Sequence, residues 1–209
     1  MKLSALILNG SLKPAKETSN TAEMAKLLTE KLKTHDVSVS MPRLSGWNIK
    51  VGIGHNEGKG DEWPALEKEI KKADILVLAT PIWWSHHSSL IQRVIERMDN
   101  IDEEFLSSGK NPLYNKVAGI IVTGAEDGAS RIYSDLLGPL TWFGYTIPPE
   151  CGLYWTGEVG RSPENPVKVF KTNPTVKKMA EVMARNLAYW GRLLKENPLP
   201  DKKSIKEKI

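Results

Sequence analysis

The chain has one cysteine in 209 residues, no long apolar run, and no charge excess large enough to define a partner. Each shortage removes a class of protein. The lone Cys151 makes no internal disulfide, which fits a reducing compartment. It reads as a small core residue rather than a nucleophile. A bilayer-spanning helix needs about eighteen or more consecutive apolar residues, and none occurs. Met1-Lys2 leads straight into a core-like strand, without the basic, apolar and small-residue zones of a signal peptide. The expectation is a soluble, cytoplasmic protein with no membrane partner. The formal charge of +4 comes from 29 basic and 25 acidic residues, interleaved through most of the sequence. That pattern describes a mixed solvated surface rather than a nucleic-acid stripe. Two nucleotide signatures are missing as well: the Gly-Lys-Ser/Thr of a P-loop and the three-glycine dinucleotide fingerprint. His86 and His87 are adjacent, but no partner set has metal-site spacing, so no metal is expected.

What is present suits one domain, residues 1–196, with a basic, loosely ordered tail at 197–209. An apolar run, Ala5-Leu6-Ile7-Leu8, breaks into Asn9-Gly10-Ser11 before a helical face of Met24, Leu27, Leu28 and Leu32. Val37-Ser-Val39 is a short strand, and the span from Arg43 to Gly60 holds five glycines with little periodicity. Loops of that length are functional or mobile, which makes this one a candidate for shaping a pocket or a subunit contact. A helix from about Glu62 to Lys72 precedes the buried-type strand Ile75–Ala79, which Thr80-Pro81 stops. Leu90, Ile91, Val94, Ile95 and Met98 mark the next helix, and Val117–Val122 a further strand. The helix carrying Ile132, Leu136, Leu137, Leu140 and Phe143 is expected to bend or break near Gly138-Pro139. Ile147–Tyr154 holds the last strand. Val176, Met179, Ala180, Met183, Leu187 and Leu194 line the closing helix.

Alternation of strands and helices predicts a parallel sheet covered on both faces. Ligands of such sheets sit beyond the carboxyl ends of the strands. Three polar loops follow strands directly, at Asn9–Asn20, Thr80–Ser89 and Thr123–Ser130, and are expected to converge. The first surrounds a helix start with Ser11, Lys13, Lys16, Thr18, Ser19, Asn20 and Thr21, which serve a phosphate monoester well. Ser19 or Asn20 as a plain helix cap is the simpler alternative. The second carries the paired indoles Trp83 and Trp84, against which a flat ring could stack. Packing of one or both of them in the core or a dimer contact is the alternative. Gly124 and Gly128 in the third loop permit close backbone approach to the ring; capping of the next helix by Asp127 is the alternative reading of that loop.

Together the three loops resemble the NADPH-dependent FMN reductase family of flavodoxin-like proteins, from Lys2 to about Trp190. The resemblance implies an α/β, flavodoxin-like three-layer sandwich: a five-stranded parallel sheet of order 2-1-3-4-5 with helices on both faces. It implies that Ser11, Lys13, Ser19, Asn20 and Thr21 hold the phosphate of FMN. Pro81, Ile82, Trp83, Trp84 and Ser85 would border the isoalloxazine, with Gly124, Asp127 and Gly128 closing its pyrimidine side. Iron–sulfur relatives carry a cysteine cluster in the loop corresponding to Arg43–Gly60; this chain has no cysteine there, so it holds no such cluster. Leu12-Lys13 stands where many relatives have Pro or Arg, a departure that bears on the phosphate contacts. The implied activity is transfer of a hydride from NADPH or NADH through FMN to a small acceptor such as a quinone or flavin. No acid or base is obligatory for it. A non-enzymatic electron carrier, or a flavin-binding redox-responsive protein, is the alternative. A homodimer or homotetramer is also implied, to which Trp47, Trp63 and Trp142 would contribute as exposed aromatics.

Overall fold

The computed structural model describes residues 2–125, 127–157 and 165–200. Parallel strands β1 (Leu3–Asn9), β2 (Val37–Ser40), β3 (Ile75–Pro81), β4 (Val117–Gly124) and β5 (Gly152–Thr156) pair in the order 2-1-3-4-5. The apolar runs seen in the sequence are the three central strands, and their side chains alternate between two cores. Leu3, Ala5, Ile7, Ile75, Val77 and Ala79 face one side, where α1 (Asn20–Lys33), α6 (Pro166–Thr172) and α7 (Pro174–Glu196) cover them. Leu6, Leu8, Leu76, Leu78, Ile120 and Val122 face the other, beneath α2 (Trp63–Lys72), α3 (Ser89–Arg97), α4 (Asp99–Ser108) and α5 (Ala129–Trp142). Burial of each large apolar side chain contributes about 1.5–3 kcal/mol. The expected three-layer architecture is therefore present.

Several local expectations change. β3 runs through Thr80 to Pro81, because Pro81 pairs with Thr123 at the end of the ladder. α5 is continuous through Pro139: Ile132 and Leu136 before the proline and Leu140 after it are all buried on one stripe, which keeps both halves in register. The last strand begins at Gly152 rather than Ile147 and reaches Thr156. α4 and α6 are short helices without a long apolar period, and sequence periodicity passed over them. Trp63 is fully buried, Trp47 half-buried, and Trp142 stands 86% exposed. Of the tail, residues 201–209 lie outside the described residues. No helix among the described residues is long and apolar enough to cross a membrane.

The long segment after β2 is irregular yet firmly built around one buried ion pair. The side chains of Arg97, on α3, and Asp61 are both fully buried, with Nη2 2.9 Å from Oδ2. The guanidinium also donates to the carbonyls of Lys50 at 2.8 Å and Gly54 at 2.9 Å. Asp61 in turn accepts from the N–H groups of Lys50, Glu57 and Trp63. Trp63 lies under the guanidinium at 5.4 Å and donates its indole N–H to Asn100. Burial by itself pushes a carboxyl up, but the Arg97 guanidinium and the three N–H groups outweigh it at Asp61. Its pKa lies well below the usual carboxylate range.

Asp61→Asn leaves the guanidinium buried without its counter-charge and is expected to lower unfolding free energy at pH 7 by about 3–5 kcal/mol, read by urea titration. Because the folded pKa is depressed, this contribution is complete above the ordinary value of 3.8 and is lost as pH falls from there through the folded value. The gap between wild type and variant should therefore close in strong acid; a gap independent of pH would refute the role given to this carboxylate.

Candidate active site

The carboxyl ends of β1, β3 and β4 each deliver one of the polar loops. After β1, the Asn9 side chain accepts from the Ser11 N–H at 3.0 Å, and the Gly10 N–H donates to Ala79 at 2.7 Å. A Cβ on Gly10 would stand 2.5 Å from Ile91 and 2.7 Å from the Ser88 hydroxyl, so only glycine lets β1 end against α3. Ser19 caps α1, its Oγ accepting from the Ala22 N–H at 3.0 Å. The N–H groups of Asn20 and Thr21, in the first turn, have no partner among the described residues. They and the helix dipole make an anion seat. Lys13 donates its ammonium to the Thr18 carbonyl at 3.3 Å.

The hydroxyls of Thr21 and Thr123 lie 2.7 Å apart, both buried, joining the first loop to the end of β4. Two hydroxyl protons meet there, and their mutual bond uses one. The other has no acceptor among the described residues and suits a ligand oxygen.

After β3, Thr80 accepts from the Ser88 N–H at 2.9 Å and closes the loop. Trp83 and His86 exchange backbone hydrogen bonds of 2.8 and 2.9 Å across a tight turn. At its tip Trp84 and Ser85 both adopt left-handed backbone, with φ of 50° and 62°. This strained geometry throws the Trp84 indole outward, 86% exposed, and leaves Trp83 49% exposed. The His87 Nε2 meets Gln92 at 2.8 Å, and its Nδ1 is buried without a partner among the described residues.

After β4, the Thr123 carbonyl accepts from Ile82 N–H at 2.8 Å, so the second and third loops run side by side. A Cβ on Gly124 would fall 2.7 Å from Ile82. Gly128, at φ 128°, would bring one 2.9 Å from Ser85, whose hydroxyl donates to the Asp127 carbonyl at 3.4 Å.

These loops enclose a cavity of about 170 Å³. Nine of the thirteen sequence-derived candidates line it: Ser11, Lys13, Ser19, Asn20 and Thr21, with Pro81, Ile82, Trp83 and Gly124. Trp84, Ser85, Asp127 and Gly128 stand outside that lining, in the adjoining turns. Thr123 and Trp155 join the wall without having been assigned to it. Thr123 was legible as the end of a strand. Trp155 was not, because the strand expected over Ile147–Tyr154 stops two residues short of the observed end at Thr156; its ring meets Phe170 edge-on at 5.4 Å. Cys151 is remote from this chemistry: burial pushes its thiol up to about 12, and it stays protonated at neutral pH.

A parallel sheet of this strand order, with an anion seat after β1 and an indole-bearing turn after β3, defines a flavodoxin-like protein, and the donors present fit a flavin mononucleotide phosphate. Residues 3–157 match the NADPH-dependent FMN reductase family, and the chain belongs to that family of flavin-dependent oxidoreductase enzymes. The 8-demethyl-8-aminoriboflavin-5'-phosphate synthase of Streptomyces davaonensis is 31% identical over 95% of this chain and 80% of its own length. A structure of RosB with a bound intermediate, 8-demethyl-8-formylriboflavin-5'-phosphate, superposes with a TM-score of 0.84 at 29% identity, over 98% of this chain and 85% of that one. FerB, an NAD(P)H:(acceptor) oxidoreductase from Paracoccus denitrificans, shares the fold at a TM-score of 0.62 and 15% identity, over 90% of this chain and 98% of that one.

Ser19→Ala removes the cap of α1 and is expected to lower the stability of the flavin-free protein by about 1 kcal/mol in a urea titration. An unchanged midpoint would show that the hydroxyl does not cap the helix in solution.

Proposed function

We propose that the protein is an FMN-dependent NAD(P)H oxidoreductase whose acceptor is a small molecule such as a quinone or a flavin. The observation that carries this reading is the convergence of an anion seat, a hydroxyl pair and a half-exposed indole on one cavity between three strand ends. Bound FMN would supply two-electron chemistry, taking a hydride from the reduced nicotinamide and passing the electrons to the acceptor. The chain's own residues bind and orient. Asn20 and Thr21 offer N–H groups to phosphate oxygens, Ser11 and the Thr21–Thr123 pair offer hydroxyls, and Lys13 adds positive charge. Pro81, Ile82 and Trp83 give the ring an apolar border that excludes water from one side, with Trp84 and Ser85 forming the outer lip. Gly124, Asp127 and Gly128 bring backbone polar groups to the ring's pyrimidine edge. A cytoplasmic setting and assembly as a homodimer or homotetramer complete the proposal, the exposed Trp142 being an available contact.

A second reading is favoured by one observation: RosB, so similar along the chain, holds a flavin 5'-phosphate as an intermediate. On that reading the bound flavin phosphate is itself the substrate and is altered on its ring.

Purified protein is expected to be yellow, to bleach anaerobically on addition of NADPH or NADH, and to recolour when a quinone follows. Retained flavin that neither nucleotide bleaches overturns the reductase. Mass spectrometry of the flavin released after turnover in air separates the two readings, since a reductase returns FMN of unchanged mass.

A further inference from the structure

Arg43 belongs to no part of the chemistry above, yet its side chain grips the loop that leads to the anion seat. The backbone brings it there: Arg43 pairs with Asn9 at the end of β1, and the Pro42 carbonyl accepts from the Asn9 N–H at 3.1 Å. Its Nη1 donates to the carbonyls of Pro14 at 2.7 Å and Glu17 at 2.8 Å, with Lys13 at 3.5 Å. The Ser45 hydroxyl donates to the same Lys13 carbonyl at 2.9 Å. Lys13, for its part, holds the Thr18 carbonyl from within the loop.

We propose that Arg43 is a positioning residue that latches this loop in its phosphate-binding form and thereby sets the protein's preference for a flavin bearing a phosphate monoester over an unphosphorylated one. The inference rests on the reading of the cavity as a flavin phosphate site. In a trans peptide the C=O and the following N–H point in opposite directions. With the carbonyls of Pro14, Glu17 and Thr18 turned to Arg43 and Lys13, the N–H groups of Ala15, Thr18 and Ser19 turn away from the two cations. Ser19 stands in the cavity wall, so the latch controls how the chain enters the seat. Residues 12–18 are exposed and irregular, and ordering such a segment costs about 1–2 kcal/mol per residue. An arginine that orders it beforehand removes that cost from binding. Only a ligand that uses the seat benefits. Riboflavin, with the same ring and ribityl chain but no phosphate, does not.

The test uses the full chain depleted of flavin, with dissociation constants for FMN and riboflavin read from quenching of flavin fluorescence. Arg43→Met is expected to weaken FMN by about tenfold or more while riboflavin changes by less than about twofold. Arg43→Lys, which keeps the charge with fewer directed donors, should recover part of the FMN affinity. Ser45→Ala removes the neighbouring donor and is expected to shift FMN in the same direction by less, which keeps the idea testable if Arg43→Met folds poorly. Equal losses for both flavins would mark a merely structural role and overturn the latch, as would unchanged FMN affinity in Arg43→Met. Wild-type protein that binds neither flavin would overturn the flavin site itself.

Discussion

Everything at the site depends on parallel pairing of strands buried on both faces. Parallel neighbours are joined by crossovers, and here the crossovers are helices that, together with α6 and α7, seal two apolar cores. The carboxyl ends of β1, β3 and β4 then lie side by side. Polar segments that leave them have nowhere to gather but one edge, and the cavity is the space they leave between them.

Pairing alone would bring the loops near each other without giving them a shape. That comes from polar tethers between segments far apart in the chain. The Thr21–Thr123 hydroxyl pair ties the start of α1 to the end of β4, across 102 residues of sequence. Arg43 holds the carbonyls of the loop after β1. Arg97 and Asp61 organise the long irregular span after β2 around a desolvated ion pair. Arg43 and Arg97 give backbone carbonyls of these irregular segments the donors that a regular ladder would otherwise supply.

Much of the fold was legible because both faces of the sheet are buried. Continuous apolar runs at Ala5–Leu8, Ile75–Ala79 and Val117–Val122 betray such strands, and the helical faces of α1, α3 and α7 repeat at three and four residues. What escaped has weak or misleading local signals. α4 buries only Ile101 and Phe105 and α6 only Phe170, too few apolar positions to show a period. Pro139 suggested a break that burial on both sides of it overrides. Trp63 looked like a surface aromatic, but it joins the second apolar core and lies under the Arg97 guanidinium.

The sequence by itself determined the order of the strands, the strand ends that carry polar loops, and most of the donors at the anion seat. Residue type and spacing suffice for these, because they are local properties of the chain. Tertiary structure decided the rest. It separated the two adjacent indoles, turning Trp83 to the cavity and Trp84 outward on left-handed backbone. It added Thr123 and Trp155 to the wall and set Arg43 on carbonyls 26 to 30 residues away. Such placements depend on which distant segments the sheet brings together, and no periodicity encodes a contact of that range.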